Sequence, residues 1–173
     1  MTSGEQYEIL RDQQRAALDS SVIERALRRG DLWRYTYSAT LSNGDAFDTV
    51  IENPTDDDIY VGRVIRTAEG VSGTIEANVS IDTSGTALNA LNLRVTSPAD
   101  TDNPVTAEQG GSYSSPEASE NINFPTGSGV STRGGIRAAN LVLGPDANVR
   151  YNLTSNADGN EFSFEAVVAI PSP

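Results

Sequence analysis

The chain has no cysteine, no histidine and no lysine. Without cysteine there are no disulfides and no thiolate metal ligands. Without histidine there is no imidazole ligand and no histidine general base or triad. Without lysine, all 12 basic residues are arginine, set against 24 Asp plus Glu, for a net charge of -12. A basic surface of the kind that grips phosphate backbones is therefore not expected, and nucleic acid is an unexpected partner. No stretch approaches the roughly 18 apolar residues of a membrane-spanning helix. The first residues, Met1-Thr2-Ser3-Gly4-Glu5-Gln6, lack the basic stretch and apolar run of a secretory signal. Exit from a cell is thus expected only as part of a larger assembly. There is also no Gly-x-Ser-x-Gly elbow and no Gly-Lys-Ser/Thr phosphate loop.

What is present points first to salt. A net charge of -12 on 173 residues implies self-repulsion in the compact state. At molar ionic strength the screening length falls to about 3 Å and that repulsion fades. So acidic a chain, with arginine as its sole cation, reads as a protein built for brine. Its apolar fraction of 37% is modest. The apolar residues nevertheless fall into regular alternating runs, which argues for a packed core over disorder.

Residues 1–30 read as a helical segment and 31–173 as a β-sandwich domain. Ser3-Gly4-Glu5-Gln6 and Ser21-Val22-Ile23-Glu24 fit capping boxes, which predicts helices over about 4–18 and 22–29. Gly30 is the expected stop. Arg25, Arg28 and Arg29 fall in the last turn, where cations complement the helix dipole; they are also the expected attachment residues, suited to an acidic partner surface.

From residue 31 the period becomes two. Trp33, Tyr35 and Tyr37 alternate with polar residues, and Asn43-Gly44-Asp45 predicts a hairpin joining 31–42 to 46–52. Further strands are expected over 59–68, within 70–82 (Ile75, Ala77, Val79 and Ile81 in phase), over 87–96, 136–143 and 149–154, and from Phe162 to Ile170. The Ser-, Gly- and Pro-rich stretch 97–135 predicts short strands near Ser112–Tyr113 and Asn121–Phe124, lying over the sandwich or against a neighbouring subunit. Eight or nine short strands without interleaved helices predict a mainly β fold, an antiparallel, jelly-roll-like sandwich with a short N-terminal helical segment.

Candidate sites are few. Asp56-Asp57-Asp58 could offer oxygen ligands to a divalent cation, though the spacing is not that of an EF-hand and a solvated acidic loop is the plainer expectation. Asp100 and Asp102 form a weaker candidate of the same kind. No other cofactor is expected. Asn78-Val79-Ser80 and Asn152-Leu153-Thr154 are glycosylation sequons set inside expected strands. Trp33 is expected to anchor the helices to the sandwich or, with Tyr113 and Phe124, to contact other copies. A carboxylate pair of glycosidase type can be drawn from any sequence this acidic, so no catalytic residue is expected.

One resemblance extends from about residue 47 to the C-terminus. It is carried by Phe47 and Glu52-Asn53-Pro54, the strand Ile59-Tyr60-Val61-Gly62-Arg63-Val64, Gly85-Thr86-Ala87-Leu88 before Asn92-Leu93, and Gly110-Gly111-Ser112-Tyr113. Leu143-Gly144-Pro145-Asp146-Ala147-Asn148 and Asn152-Leu153-Thr154-Ser155-Asn156 before the last strand complete it. In this order of turns and strands the chain resembles small β-sandwich virion appendage proteins of tailed viruses, of the fibre, turret or adhesin type. It departs from them in lacking an aromatic-rich C-terminal end. The resemblance implies a non-enzymatic structural protein on the virus particle, assembled in the host cytoplasm and exposed on the virion. Implied partners are copies of itself, as a trimer or pentamer, and other virion proteins, with no membrane partner. Together with the charge, it implies a halophilic archaeal host. The alternative within the same family is a receptor-binding adhesin for host-surface glycan or S-layer.

Overall fold

The computed structural model describes residues 25–67, 69–93, 103–124 and 138–170. They form thirteen strands: β1 (Leu32–Leu41), β2 (Ala46–Glu52), β3 (Ile59–Thr67), β4 (Val71–Ala77), β5 (Ser80–Thr83), β6 (Thr86–Ala87), β7 (Ala90–Asn92), β8 (Thr106–Gln109), β9 (Ser112–Ser114), β10 (Ala118–Phe124), β11 (Ala138–Leu143), β12 (Asn148–Ser155) and β13 (Asn160–Ala169). A five-stranded sheet runs β11-β3-β13-β1-β7, a six-stranded sheet runs β10-β4-β12-β2-β8-β6, and β5 pairs with β9 in a separate ribbon. The fold is mainly β and every strand pairing is antiparallel.

The long strands pass alternately between the two large sheets. β1, β3, β11 and β13 lie in one, and β2, β4, β10 and β12 in the other. This winding is consistent with the antiparallel β-sandwich expected from the sequence. β13 pairs with β1 from Ala169↔Leu32 to Asn160↔Leu41, and with β3 from Ala169↔Tyr60 to Phe162↔Thr67. Alternation places Phe162, Phe164, Ala166 and Val168 inward from β13, and Phe47 and Ile51 inward from β2. The Phe47 ring lies 5.0 Å from each of Tyr37, Phe162 and Phe164, so it ties the two sheets together. Such tilted aromatic pairs add about 0.5–1.5 kcal/mol each beyond the area they bury.

Three sequence expectations are corrected. The Asn43-Gly44 turn does not close a hairpin: β1 and β2 lie in opposite sheets. The turn's backbone is engaged instead by the corner that follows β12. Gly44 N–H donates to Ser155 O (2.9 Å), Ser155 N–H donates to Asp45 O (2.9 Å), and Asn43 N–H donates to Asp158 Oδ1 (2.9 Å). β1 finds a longer apolar partner in β13, and that ladder outweighs the local turn signal. The run 70–82 divides at Asn78, whose φ of 51° breaks the extended chain and sends β5 into the separate ribbon. The run 87–96 likewise yields only β6 and β7, in different sheets, and 94–102 lie outside the described residues.

Residues 25–29 are helical and end at Gly30, at φ 92°. Asp31 N–H reaches Ala26 O (2.9 Å) and Gly30 N–H reaches Leu27 O (3.3 Å), which is the Schellman arrangement. The glycine stop is thus where the sequence placed it. The helix predicted over 4–18 lies outside the described residues. Ala26 packs on the outer face of the five-stranded sheet with Leu32, Ala169, Tyr60 and Leu93.

Three buried asparagines fasten the loops. Asn53 Nδ2 donates to the carbonyls of Asp57, Leu143 and Gly144 at 2.8–3.0 Å. Asn148 pairs with the Val79 backbone through both ends of its amide, at 2.9 and 3.0 Å. Asn160 accepts from Thr67 Oγ1 and Glu69 N–H and donates to Ser155 Oγ. Each stands in for a missing strand partner, since buried backbone groups require one.

Candidate functional site

Strand register builds a charged centre on the outer face of the six-stranded sheet. Arg150 on β12 lies opposite Glu76 on β4 and Val50 on β2, and Val50 lies opposite Glu108 on β8. Asp48 sits two residues from Val50 on the same face. Arg150 Nε donates to Asp48 Oδ1 at 2.8 Å and its Nη2 to Asp48 Oδ2 at 2.6 Å, a bidentate pair. Arg150 Nη1 donates to Glu76 Oε2 at 2.9 Å. Thr74 Oγ1 donates to the other Glu76 oxygen at 2.9 Å.

The β5–β9 ribbon closes over this centre. Val79, Ile81 and Tyr113 pack on Val50, and the Arg150 guanidinium carbon lies 5.2 Å from the centre of the Tyr113 ring. That is cation–π range. Arg150 is held even more firmly protonated than usual, first by its hydrogen bonds to Asp48 and then by the charges of Asp48 and Glu76, against desolvation. Burial pushes the Tyr113 hydroxyl up to about 12, with the negative charge of Glu108 adding to the effect. Glu108 Oε1 is buried without a hydrogen-bond partner. The arrangement acts as a lock: a three-member ion cluster pinned under an aromatic lid. Every Arg150 nitrogen carries a carboxylate bond.

The residues singled out from the sequence are scattered. Asp56, Asp57 and Asp58 are exposed in the β2–β3 loop, and no group of three or more acidic side chains among the described residues converges on a cation position. Asn53 organises the loop, with its amide bonded to the carbonyls of Asp57, Leu143 and Gly144. Trp33 and Tyr113 are 6% and 8% exposed, so both are covered by their own chain and present little surface to a neighbour. Tyr113 is covered within the ribbon lock. Phe124 ends β10 opposite Val71. β9 lies over the sandwich as expected of 112–113, whereas β10 is an integral edge of the six-stranded sheet. Asn78 is exposed and donates to Glu117 Oε2 at 2.7 Å; Asn152 points outward from β12. Asp100 and Asp102 lie outside the described residues.

Two other surfaces stand out. On the outer face of the five-stranded sheet, Leu27, Leu91 and Val142 are exposed at 39%, 53% and 51%. Leu91 is paired with Arg34 and Val142 with Tyr60, which puts both on the face that carries the helical turn with Arg25, Arg28 and Arg29. At the β10 edge of the six-stranded sheet there is a shallow groove lined by Ser72, Thr74, Asn121, Asn123 and Asn156, with Gly73 and Ile122. Neither was read from the sequence, because each assembles residues far apart in the chain. The search for relatives adds nothing to these surfaces: no protein-family model matches the chain, and no curated protein matches its sequence.

Proposed function

We propose that this is a non-enzymatic structural protein of a virus particle, adapted to a halophilic archaeal host, that forms a homo-oligomeric appendage on the capsid or tail. The observation that carries the reading is the outer face of the five-stranded sheet. Leu27, Leu91 and Val142 are left exposed on that face, Leu91 on its β7 edge and Val142 on its β11 edge, in a chain of net charge -12. Apolar surface left open in so acidic a chain is unfavourable unless something covers it. High salt strengthens the drive to cover it, and arginine adds directional pairing with carboxylates. A closed ring or trimer buries such a face repeatedly around one axis. The test is mass measurement in molar potassium chloride, for the protein as it stands and for L91D/V142D. The parent is expected as a trimer or pentamer and the variant as a folded monomer. A monomeric parent refutes the oligomeric appendage.

A second reading is a receptor-binding adhesin of the same particle. The uncharged groove on the opposite sheet favours it, being the kind of surface that meets hydroxyl-rich ligands without charge. Purified protein is then expected to compete with virus adsorption to host cells. Failure to compete at saturating concentration removes this reading and leaves the first untouched.

A further inference from the structure

We infer that the groove at the β4–β10 edge binds a neutral carbohydrate; the inference rests on the adhesin reading for its biological use but not for its chemistry. The register sets Asn121 opposite Thr74 and Asn123 opposite Ser72. Directly opposed side chains on one face stand about 4.5–5.5 Å apart, and residues two apart along a strand about 6.6–6.8 Å. The result is a two-by-two array of amides and hydroxyls on a rigid sheet. Asn156 extends it from the β12–β13 corner, where its Oδ1 accepts from Ser72 Oγ at 3.3 Å. That bond orients the amide and leaves both Nδ2 hydrogens for a ligand.

The hydrogen-bonding capacity of the array is largely unused. Asn121 and Asn123 are exposed, and their side chains make no hydrogen bond among the described residues. An asparagine amide offers two donors beside an acceptor, which suits the adjacent hydroxyls of a sugar ring. Ile122, between the two asparagines, turns its side chain into the core and holds β10 in place, so the array that faces outward is polar throughout.

Charge selects the ligand class. The lining holds no charged side chain, in a protein with 24 acidic and 12 basic residues. The nearest carboxylate on the same face, Glu76, is bound to Arg150 and Thr74. An anionic sugar finds no cation here and meets the negative field of the whole chain. A cation finds no carboxylate. A neutral hydroxyl-rich ligand meets neither obstacle, and its recognition by amides survives molar salt because it does not depend on long-range charge.

The experiment titrates neutral hexose oligosaccharides, and uronate-bearing oligosaccharides of the same length, into isotope-labelled full-length protein in molar potassium chloride. Neutral sugars are expected to shift the side-chain amide signals of Asn121, Asn123 and Asn156. The uronate series is expected to shift them only weakly. N121A/N123A removes two exposed amides, so its melting temperature should be unchanged while sugar affinity falls by about tenfold or more. The proposal is overturned if neutral sugars leave these signals in place, if the variant binds as well as the parent, or if uronates bind equally. Binding along the backbone edge of β10 by an added peptide strand, unaffected by the variant, also overturns it. The adsorption assay separates the two ideas: if parent and variant block alike, the adhesin reading stands and the groove falls. If neither blocks while sugar still shifts the amides, the reverse holds.

Discussion

Replacing Arg150 by methionine removes a charge while keeping most of the side chain's volume, so it isolates the electrostatics of the lock. The three partners are well covered: their side chains are 14%, 20% and 11% exposed for Arg150, Asp48 and Glu76. Loss of Arg150 strands two carboxylates, Glu76 directly opposite it and Asp48 diagonal to it. Breaking a buried pair by deleting one partner typically costs 3–5 kcal/mol. The residual exposure here argues for the lower end, about 3 kcal/mol, plus about 0.5–1 kcal/mol for the lost contact with Tyr113. In a domain of this size that lowers the melting temperature by roughly 7–16 °C. Salt decides between mechanisms. An exposed ion pair is worth about 0–1 kcal/mol and fades in molar salt. A covered one keeps its value. R150M is therefore expected to lose about the same stability in 0.5 M as in 3 M potassium chloride. The triple variant D48N/E76Q/R150M, which removes all three charges of the cluster, should recover most of the loss. Hydrogen exchange should show the β5–β9 amides opening first. A loss below about 1 kcal/mol, or one that vanishes as salt rises, refutes the lock.

Three further outcomes follow from the same geometry. Asn53→Ala leaves three carbonyls without their donor in a fully buried position, and should cost about 2–4 kcal/mol in chemical denaturation. Gly73→Ala should not yield folded protein, because a Cβ there would lie 2.0 Å from Asn152 O on the central strand β12; circular dichroism of the refolded chain checks it. Tyr113 titrates near 10.0 when unfolded and is pushed up to about 12 in place. Its contribution is therefore complete below pH 10 and disappears as pH rises through 12, since ionisation is favoured in the unfolded chain. Alkaline titration should show a stability loss in that window that Tyr113→Phe lacks.

How much of this was legible in the sequence depends on the range of the interaction. Phe162, Phe164, Ala166 and Val168 announce an inward face by period alone, and Gly30 announces a helix end by its place after Arg28-Arg29. Both are local signals, and the structure keeps both. Asn43-Gly44 is an equally local hairpin signal, yet it fails. The partner that β1 takes, β13, begins 119 residues beyond Leu41, at Asn160. Only the register across the whole sheet shows that this ladder is longer than anything β2 could offer. The Asp48–Arg150–Glu76 cluster is illegible for the same reason. Each member reads as an outward polar residue in its own strand, and nothing short of the β2-β12-β4 order brings them together. The buried asparagines were hidden differently. Asn53 and Asn160 sit beside Pro54 and Gly159, where asparagine ordinarily signals a solvated turn. Their side chains instead point inward as substitute backbone. Tyr113 and Trp33 show the converse, aromatic residues that look available for contact and are consumed by their own chain.

The absence of lysine gains a structural meaning at one position. The proposed adaptation to brine would account for the many acids, but it does not by itself explain why every cation is arginine. At Arg150 the geometry does. Two carboxylates approach from different strands, Asp48 along one edge of the guanidinium through Nε and Nη2, and Glu76 at Nη1. A planar fork with five donors reaches both at once, whereas an ammonium is a compact point charge that must choose a geometry. The flat guanidinium also lies against the Tyr113 ring without losing its in-plane bonds. Arg150→Lys is therefore expected to keep the charge but give up the bidentate pair, at a loss of about 1–2 kcal/mol, between the parent and R150M. The ordering of the three proteins in a denaturant series is the measurement. If the lysine variant matches the parent, net charge alone holds the ribbon and the shape of arginine is irrelevant to it; if it matches R150M, a point charge contributes nothing there and the fork is the whole of the lock.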